Sequence, residues 1–224
     1  MSRAALRLVV QELLARNGIA KGIVYIQATR GVAPRDHKFP QQSRTSLVVT
    51  ARPLKPLPAS LIEKGAEVIT IPDIRWQRCD IKTIQLLPNV LAKQAAVERG
   101  ALDAIMIRDG VATEGSHANV FAVVDGVLRT HPTDHHILPG ITRAVVLELA
   151  RDAGIPTLEE PLTEAELASA DELFLAGTTT DVMPIVRLND AEIGSGQPGP
   201  ITTRLIREFR VCLDVACGVV STTA

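Results

Sequence analysis

A mixed α/β fold of the α+β class is predicted by three features of the sequence. Helical stripes and strand-like runs are interspersed along the chain, several successive strands are joined by tight turns, and no internal repeat recurs. With 224 residues, 46% of them hydrophobic and 22% charged, the chain can bury a real core in one large domain or two small ones.

Residues 3–16 place Leu6, Val9, Val10, Leu13 and Leu14 on one helical stripe, and Asn17-Gly18 stops that helix. Strand-like runs follow at 22–30 and 46–51, separated by the irregular segment 31–45. Three prolines in 52–60 read as a linker, so an N-terminal domain is expected over 1–54, a linker over 55–60 and a C-terminal domain over 61–224. Beyond it, 66–72 reads as a strand and 83–100 as a helix that Pro88 either kinks or starts late. Strands at 103–108, 119–125 and 126–131 come next, the last two turned by Asp125-Gly126. A helix over 141–154, a short strand, a helix over 163–170 and strands at 171–177 and 183–190 lead to a closing helix at 200–213. A tail of small residues ends the chain.

A net charge of -1 gives no general pull toward nucleic acid or anionic membrane, though it leaves room for a localised anion site. Cys79, Cys212 and Cys217 are odd in number, widely spaced and without metal-finger spacing, which reads as reduced thiols in a cytoplasmic protein. The N-terminus lacks the pattern of a signal peptide, and no apolar stretch has the length of a membrane span.

Three segments combine reactive side chains with sharp backbone turns. In 75–90, Lys82 lies between Ile81 and Ile84 at a strand-to-helix junction, where desolvation would favour the neutral, nucleophilic amine. The alternative is a surface lysine whose stem covers its apolar neighbours. In 111–121, Glu114 precedes Gly115 just before an apolar strand, either as the partner of a protonated cofactor nitrogen or as a solvated turn acid. In 135–146, Pro139-Gly140 leads into a helix whose first N–H groups, with the Thr142 hydroxyl, form a phosphate cradle or a plain helix boundary. The hydroxyl-rich turn 177–181 ends a buried strand and adds donors for the same anion.

In order and spacing these segments together resemble the fold type IV enzymes that depend on pyridoxal 5'-phosphate (PLP), over about residues 6–210. DIKTIQLLPNVLAKQAA is similar to that family's lysine segment and TEGSHANVF to its glutamate segment. LPGITR is similar to its phosphate-binding helix start, and ELFLAGTTTDVMPI to the strand and loop flanking the phosphate. The resemblance implies a two-domain fold type IV architecture with PLP as cofactor and Lys82 as the Schiff-base and proton-transfer lysine. It implies Glu114 as partner of the pyridinium nitrogen, Ile141, Thr142 and Thr178 as holders of the phosphate, and Leu138 against the face of the ring. His117 stands where the D-amino acid enzymes of the family have a serine.

Residues 25–40 look like the D-amino acid aminotransferase version of their segment, in which an Arg-x-His pair binds the substrate carboxylate; here the pair is Arg35 and His37. Arg30 is read as scaffold. The implied activity is transamination between a D-amino acid and a 2-oxo acid in a homodimer, with D-alanine and 2-oxoglutarate giving pyruvate and D-glutamate. Branched-chain transamination, aminodeoxychorismate cleavage and a non-catalytic truncated homologue are the alternatives. The resemblance also implies a segment ahead of Met1 that supplies small-domain strands, a phosphate arginine and a carboxylate-trap tyrosine. The N-terminal small domain is therefore expected to be incomplete and cofactor retention weak.

No metal is expected at His131, His135 and His136, because no carboxylate or cysteine is read as completing the set at ligand spacing. Trp76 and Cys79 read as packing residues, and Arg204, Arg207 and Arg210 as a solvated helix face.

Overall fold

The structure, a computed structural model, describes residues 1–218; the last of the small-residue tail lies outside the described residues. The chain divides into two compact units that meet in sequence at Leu57 and Pro58.

The first unit holds one helix and one hairpin. Helix α1 (Arg3–Arg16) starts where Ser2 Oγ accepts the Ala5 N–H at 3.2 Å, and stops where Gly18 takes a left-handed φ of 61°. Strand β1 (Gly22–Thr29) pairs antiparallel with β2 (Ser46–Pro53). β2 runs two residues past its expected end because Arg52 and Pro53 still lie opposite Ile23 and Gly22, and a terminal proline sacrifices little of the ladder.

In the second unit, α2 (Ala59–Lys64) begins inside the stretch that the prolines mark as linker: Pro58 precedes the first turn, where a missing N–H is harmless. The elements that follow are β3 (Ala66–Pro72), α3 (Leu87–Glu98), β4 (Asp103–Arg108), β5 (Val111–Gly115), β6 (Asn119–Val124) and β7 (Val127–Thr130). Then come α4 (Ile141–Asp152), β8 (Thr157–Glu159), β9 (Leu162–Thr163), α5 (Glu164–Ala168), β10 (Glu172–Gly177), β11 (Asp181–Leu188), β12 (Ala191–Glu192) and α6 (Pro200–Ala216). The strands form one mixed sheet in the order β8-β7-β6-β10-β11-β3-β4-β5-β9, with β12 paired to β11. β3 is parallel to both β4 and β11, whereas β6, β7, β10 and β11 are joined by antiparallel pairings. The α+β reading holds.

Local chemistry explains most boundaries. Asp125 and Gly126 take φ of 50° and 75°, the two left-handed positions of a tight hairpin between β6 and β7. Pro88 sits in the first turn of α3, so it starts the helix late rather than kinking it and leaves residues 73–86 as a loop. One apolar cluster packs on one side of the sheet, around Val120, Leu173, Met183 and Leu188. Another lies under α4 and α6, where Phe121 and Phe174, opposite one another on β6 and β10, stack at 4.9 Å with both rings fully buried. Arg204, Arg207 and Arg210 of α6 are all exposed, and Arg204 meets Glu208 at 2.8 Å. Among the described residues no helix is long and apolar enough to cross a membrane.

Candidate active site

The loop after β3 carries the first charges of the site. Arg75 turns inward and is 8% exposed. Its Nε and Nη2 fork onto the Asp73 carboxylate at 2.9 and 2.7 Å, and Nη1 donates to Glu114 Oε1. Nη2 also meets Thr113 Oγ1 at 3.1 Å and the His136 carbonyl at 3.0 Å. Arg108, at the end of β4, places Nη2 3.1 Å from Asp73 Oδ1 and donates to the Arg75 carbonyl at 2.9 Å. Two carboxylates thus face two guanidiniums.

Glu114 projects from β5 and is 8% exposed. Its Oε2 accepts the Leu138 N–H at 3.1 Å and the Asn119 amide at 3.3 Å. Burial pushes this carboxyl up to about 7, while Arg75 and the Leu138 N–H restrain the rise. Burial acts in the same direction on Asp73, but the Arg75 fork overrides it and holds that carboxyl at about 2. Glu114 is therefore an oriented carboxylate poised near neutrality, suited to hold a proton on a nitrogen base.

Two glycine-led segments close onto the residues just after Glu114. A Cβ on Gly140 would lie 2.2 Å from Asn119 Oδ1, too close without a shift, and one on Gly177 would crowd Ala118 Cβ at 3.2 Å. Asn119 also donates to the Leu138 carbonyl at 3.0 Å, binding the entry of α4 to the Glu114 segment. The α4 N-terminus, with Gly140 at its cap position and Thr142 buried, has no side-chain cap. At α6 the equivalent groups are filled: the buried Glu172 carboxylate accepts the Ile201 and Thr202 N–H groups at 3.0 and 2.7 Å. An uncapped helix start with a buried hydroxyl is a ready anion site.

The other residues singled out by sequence lie as follows. Lys82 is exposed in the loop before α3, and Ile81 and Ile84, 42% and 68% exposed, do not enclose it. The apolar shield expected from those neighbours is not formed, because both side chains lie largely in solvent rather than in the core. The same loop is anchored where the Cys79 N–H donates to the His135 carbonyl at 2.9 Å. Leu138 supports Glu114 through its main chain. Ile141 exposes its side chain, leaving only its N–H as a donor toward an anion, and Thr178 is exposed while Thr180 is buried. His117 Nδ1 lies 2.9 Å from Ser116 Oγ, and its Nε2 lies 3.4 Å from Thr180 Oγ1, linking the glutamate segment to the hydroxyl-rich turn. Arg35 and His37 belong to the first unit and are exposed; Arg30 lies 3.6 Å over the Phe39 ring, a scaffold contact. Asp134 joins His131 and His136 in a three-residue cluster, which corrects the reading that no carboxylate completes the histidine set.

The sequence reading gave no role to Arg75, Asp73, Arg108 or Asn119. The only local signal was the Asp-x-Arg pair at the end of an apolar strand, and the partner that matters, Glu114, lies 39 residues further on.

Residues 1–188 match the family of amino-transferase class IV proteins. The chain belongs to the class IV aminotransferases. This aminotransferase is 43% identical over 201 residues to the D-alanine aminotransferase of Staphylococcus haemolyticus, covering 90% of its own length and 71% of that protein's. Its fold is similar to the branched-chain amino acid aminotransferase of Escherichia coli, with a TM-score of 0.84, 27% identity and coverage of 94% of this chain and 72% of that one. The branched-chain enzyme of Thermobaculum terrenum, solved in its PLP form, gives a TM-score of 0.77 at 26% identity, covering 94% and 69%.

The residues of this class IV aminotransferase fit the PLP that its family uses. A pyridine nitrogen, a phosphate and an aldehyde need an acid partner, an anion cradle and an amine. The chain offers the buried Glu114 carboxylate, the uncapped α4 start with Thr142, and Lys82.

Proposed function

We propose that this class IV aminotransferase transfers the amino group of a D-amino acid to a 2-oxo acid, converting D-alanine and 2-oxoglutarate to pyruvate and D-glutamate. The observation that carries the reading is the Glu114 carboxylate, held inside the fold by Arg75, Leu138 and Asn119. PLP, when bound, supplies an electron sink that makes the substrate's Cα–H acidic. Glu114 would hold a proton at the ring nitrogen. The α4 N–H groups at Ile141 and Thr142, with the Thr142 and Thr178 hydroxyls, hold the phosphate. Leu138 flanks the ring. Lys82 anchors the cofactor and then moves the proton to and from Cα through Nζ.

Arg35, with His37 beside it, holds the substrate carboxylate through a charge-assisted hydrogen bond. The D-alanine aminotransferase relative, at 43% identity against 27% for the Escherichia coli branched-chain structure, favours D-substrates over branched-chain ones. A homodimer is part of the proposal, supported by the exposed apolar side chains of Ile84, Leu86, Leu87, Val90 and Leu91 on and before α3. A cytoplasmic setting is supported by three free cysteines.

Release of pyruvate from D-alanine but not from L-alanine, with 2-oxoglutarate present, is the expected result of a coupled assay. Equal rates for the two enantiomers would sink the stereochemical reading. Arg35→Leu is expected to raise the D-alanine requirement roughly ten- to hundredfold, the loss of a charge-assisted hydrogen bond of about 1.5–3 kcal/mol. An unchanged KM would remove Arg35 from the substrate site.

Glu114 makes a separate prediction for the cofactor-free chain. Its folded carboxyl, at about 7, lies above the ordinary 4.5, so the folded state holds this proton more tightly than the unfolded chain does. The stability contributed is complete below the ordinary value and is lost as pH rises through about 7. Urea denaturation across that range should show the decline in the wild type and not in Glu114→Gln. Parallel pH profiles would mean that Glu114 titrates normally.

A further inference from the structure

His131, Asp134 and His136 meet on the segment between β7 and α4, one ligand atom of each lying within 4.8 Å of the other two. His131 is 5% exposed, and its Nδ1 lies 3.0 Å from the Ala112 carbonyl. A carbonyl only accepts, so Nδ1 donates to it, and the other ring nitrogen, Nε2, faces Asp134 Oδ2, 3.3 Å away. His136 Nδ1 lies 3.1 Å from that same oxygen.

The spacing matches a metal polyhedron. Ligand bonds of about 2.0–2.1 Å in a tetrahedral site put neighbouring donor atoms about 3.3–3.4 Å apart. The two measured edges, 3.3 and 3.1 Å, are close to that length. The surrounding contacts orient the ligands. The Ala112 carbonyl fixes the His131 ring as backbone carbonyls fix metal-bound histidines, and Asp134 Oδ1 accepts the His136 N–H at 2.7 Å. Two imidazoles and one carboxylate are a borderline-soft donor set that suits zinc.

We propose that His131 Nε2, the Asp134 carboxylate and His136 Nδ1 form a binding site for a single Zn²⁺ ion, with its remaining position open to water. The site is separate from the Lys82 and Glu114 chemistry, and its role is to pin the turn on which that chemistry rests. The His135 carbonyl accepts the Cys79 N–H from the lysine loop, the His136 carbonyl accepts Arg75 Nη2, and the Leu138 N–H reaches Glu114. Arg143 of α4 donates to the His131 carbonyl at 2.8 Å, closing the turn from the other side.

The test is a ZnCl₂ titration of the full chain after chelator treatment and dialysis, reading metal content per chain and the thermal midpoint. Wild type is expected to take up one Zn²⁺ per chain with a rise in midpoint, and Co²⁺ in its place to give the visible absorption of a four-coordinate ion. Asp134→Asn and His136→Gln, both at half-buried positions that tolerate a polar replacement, should each lower the affinity at least about tenfold and abolish the Co²⁺ band. A wild type that binds Zn²⁺ no tighter than Asp134→Asn would overturn the site and leave the cluster a hydrogen-bonded turn. So would metal uptake that disappears in Cys212→Ser or Cys217→Ser but survives in the two ligand variants.

Discussion

Lys82→Ala is expected to abolish transamination while leaving the chain folded. The side chain is exposed in the loop before α3 and its removal takes nothing from the core, so the loss of activity will not be a loss of structure. In the proposed mechanism two functions go at once: the amine that anchors the cofactor and the base that moves the Cα proton. The proton-transfer role alone is worth roughly 10²–10⁴-fold in rate. Pyruvate release from D-alanine measures the activity, and urea denaturation of the same preparation checks the fold. Borohydride reduction of the PLP-loaded wild type should then fix the cofactor to the peptide containing Lys82. Lys93 is the informative control, because its Nζ is already committed to the Leu102 carbonyl beneath α3. Labelling of the Lys93 peptide, or turnover by Lys82→Ala within tenfold of wild type, would overturn the assignment.

Arg75→Leu is expected to cost about 3–5 kcal/mol of stability, the usual penalty for removing one partner of a buried ion pair. The reason is what remains behind. Asp73, with a side chain 0% exposed, and Glu114, at 10%, would lose their shared partner, with only Arg108 left close to one of them. The pH dependence identifies the mechanism. In the wild type the depressed Asp73 carboxyl contributes stability that is present above its ordinary 3.8 and is lost as pH falls toward about 2. Without Arg75 the raising effect of burial meets only the weaker opposition of Arg108 and Thr113 at Asp73 and of the Leu138 N–H at Glu114, so both carboxyls rise and acid should weaken the variant less than the wild type. Arg75→Lys retains the charge without the two-pronged fork and should recover only part of the loss. Urea denaturation from pH 3 to pH 8 reads all three chains; a cost below about 1 kcal/mol for Arg75→Leu would mean that the network does not stabilise the fold.

The elements most legible in the sequence were those decided within a few residues. The stripe from Leu6 to Leu14, the stop at Asn17-Gly18 and the turn at Asp125-Gly126 each follow from local periodicity or backbone preference, and the structure has them where they were expected. β5 and α2 escaped notice for the opposite reason. β5 is five residues long and carries both a glutamate and a glycine, so it becomes a strand only by pairing with β4 and β9. α2 lies among prolines, and the packing of Leu61 and Ile62 against the core outweighs them.

By itself the sequence determined which residues are candidates to react and which backbone turns are candidates to hold an anion. Lys82, Glu114 and the Gly140-Ile141-Thr142 helix start are short-range patterns, and their order along the chain carried the family resemblance. Only the tertiary structure decided what holds them. It set Glu114 against Arg75 and brought Asn119 to the Leu138 carbonyl. It also filled the start of α6 with Glu172 while leaving that of α4 uncapped, and it folded Asp134 between two histidines. Each of these contacts depends on burial and on the direction of a charged or polar side chain. Such a side chain can meet any opposite partner in the chain, and the partner it finds is set by which strands lie side by side.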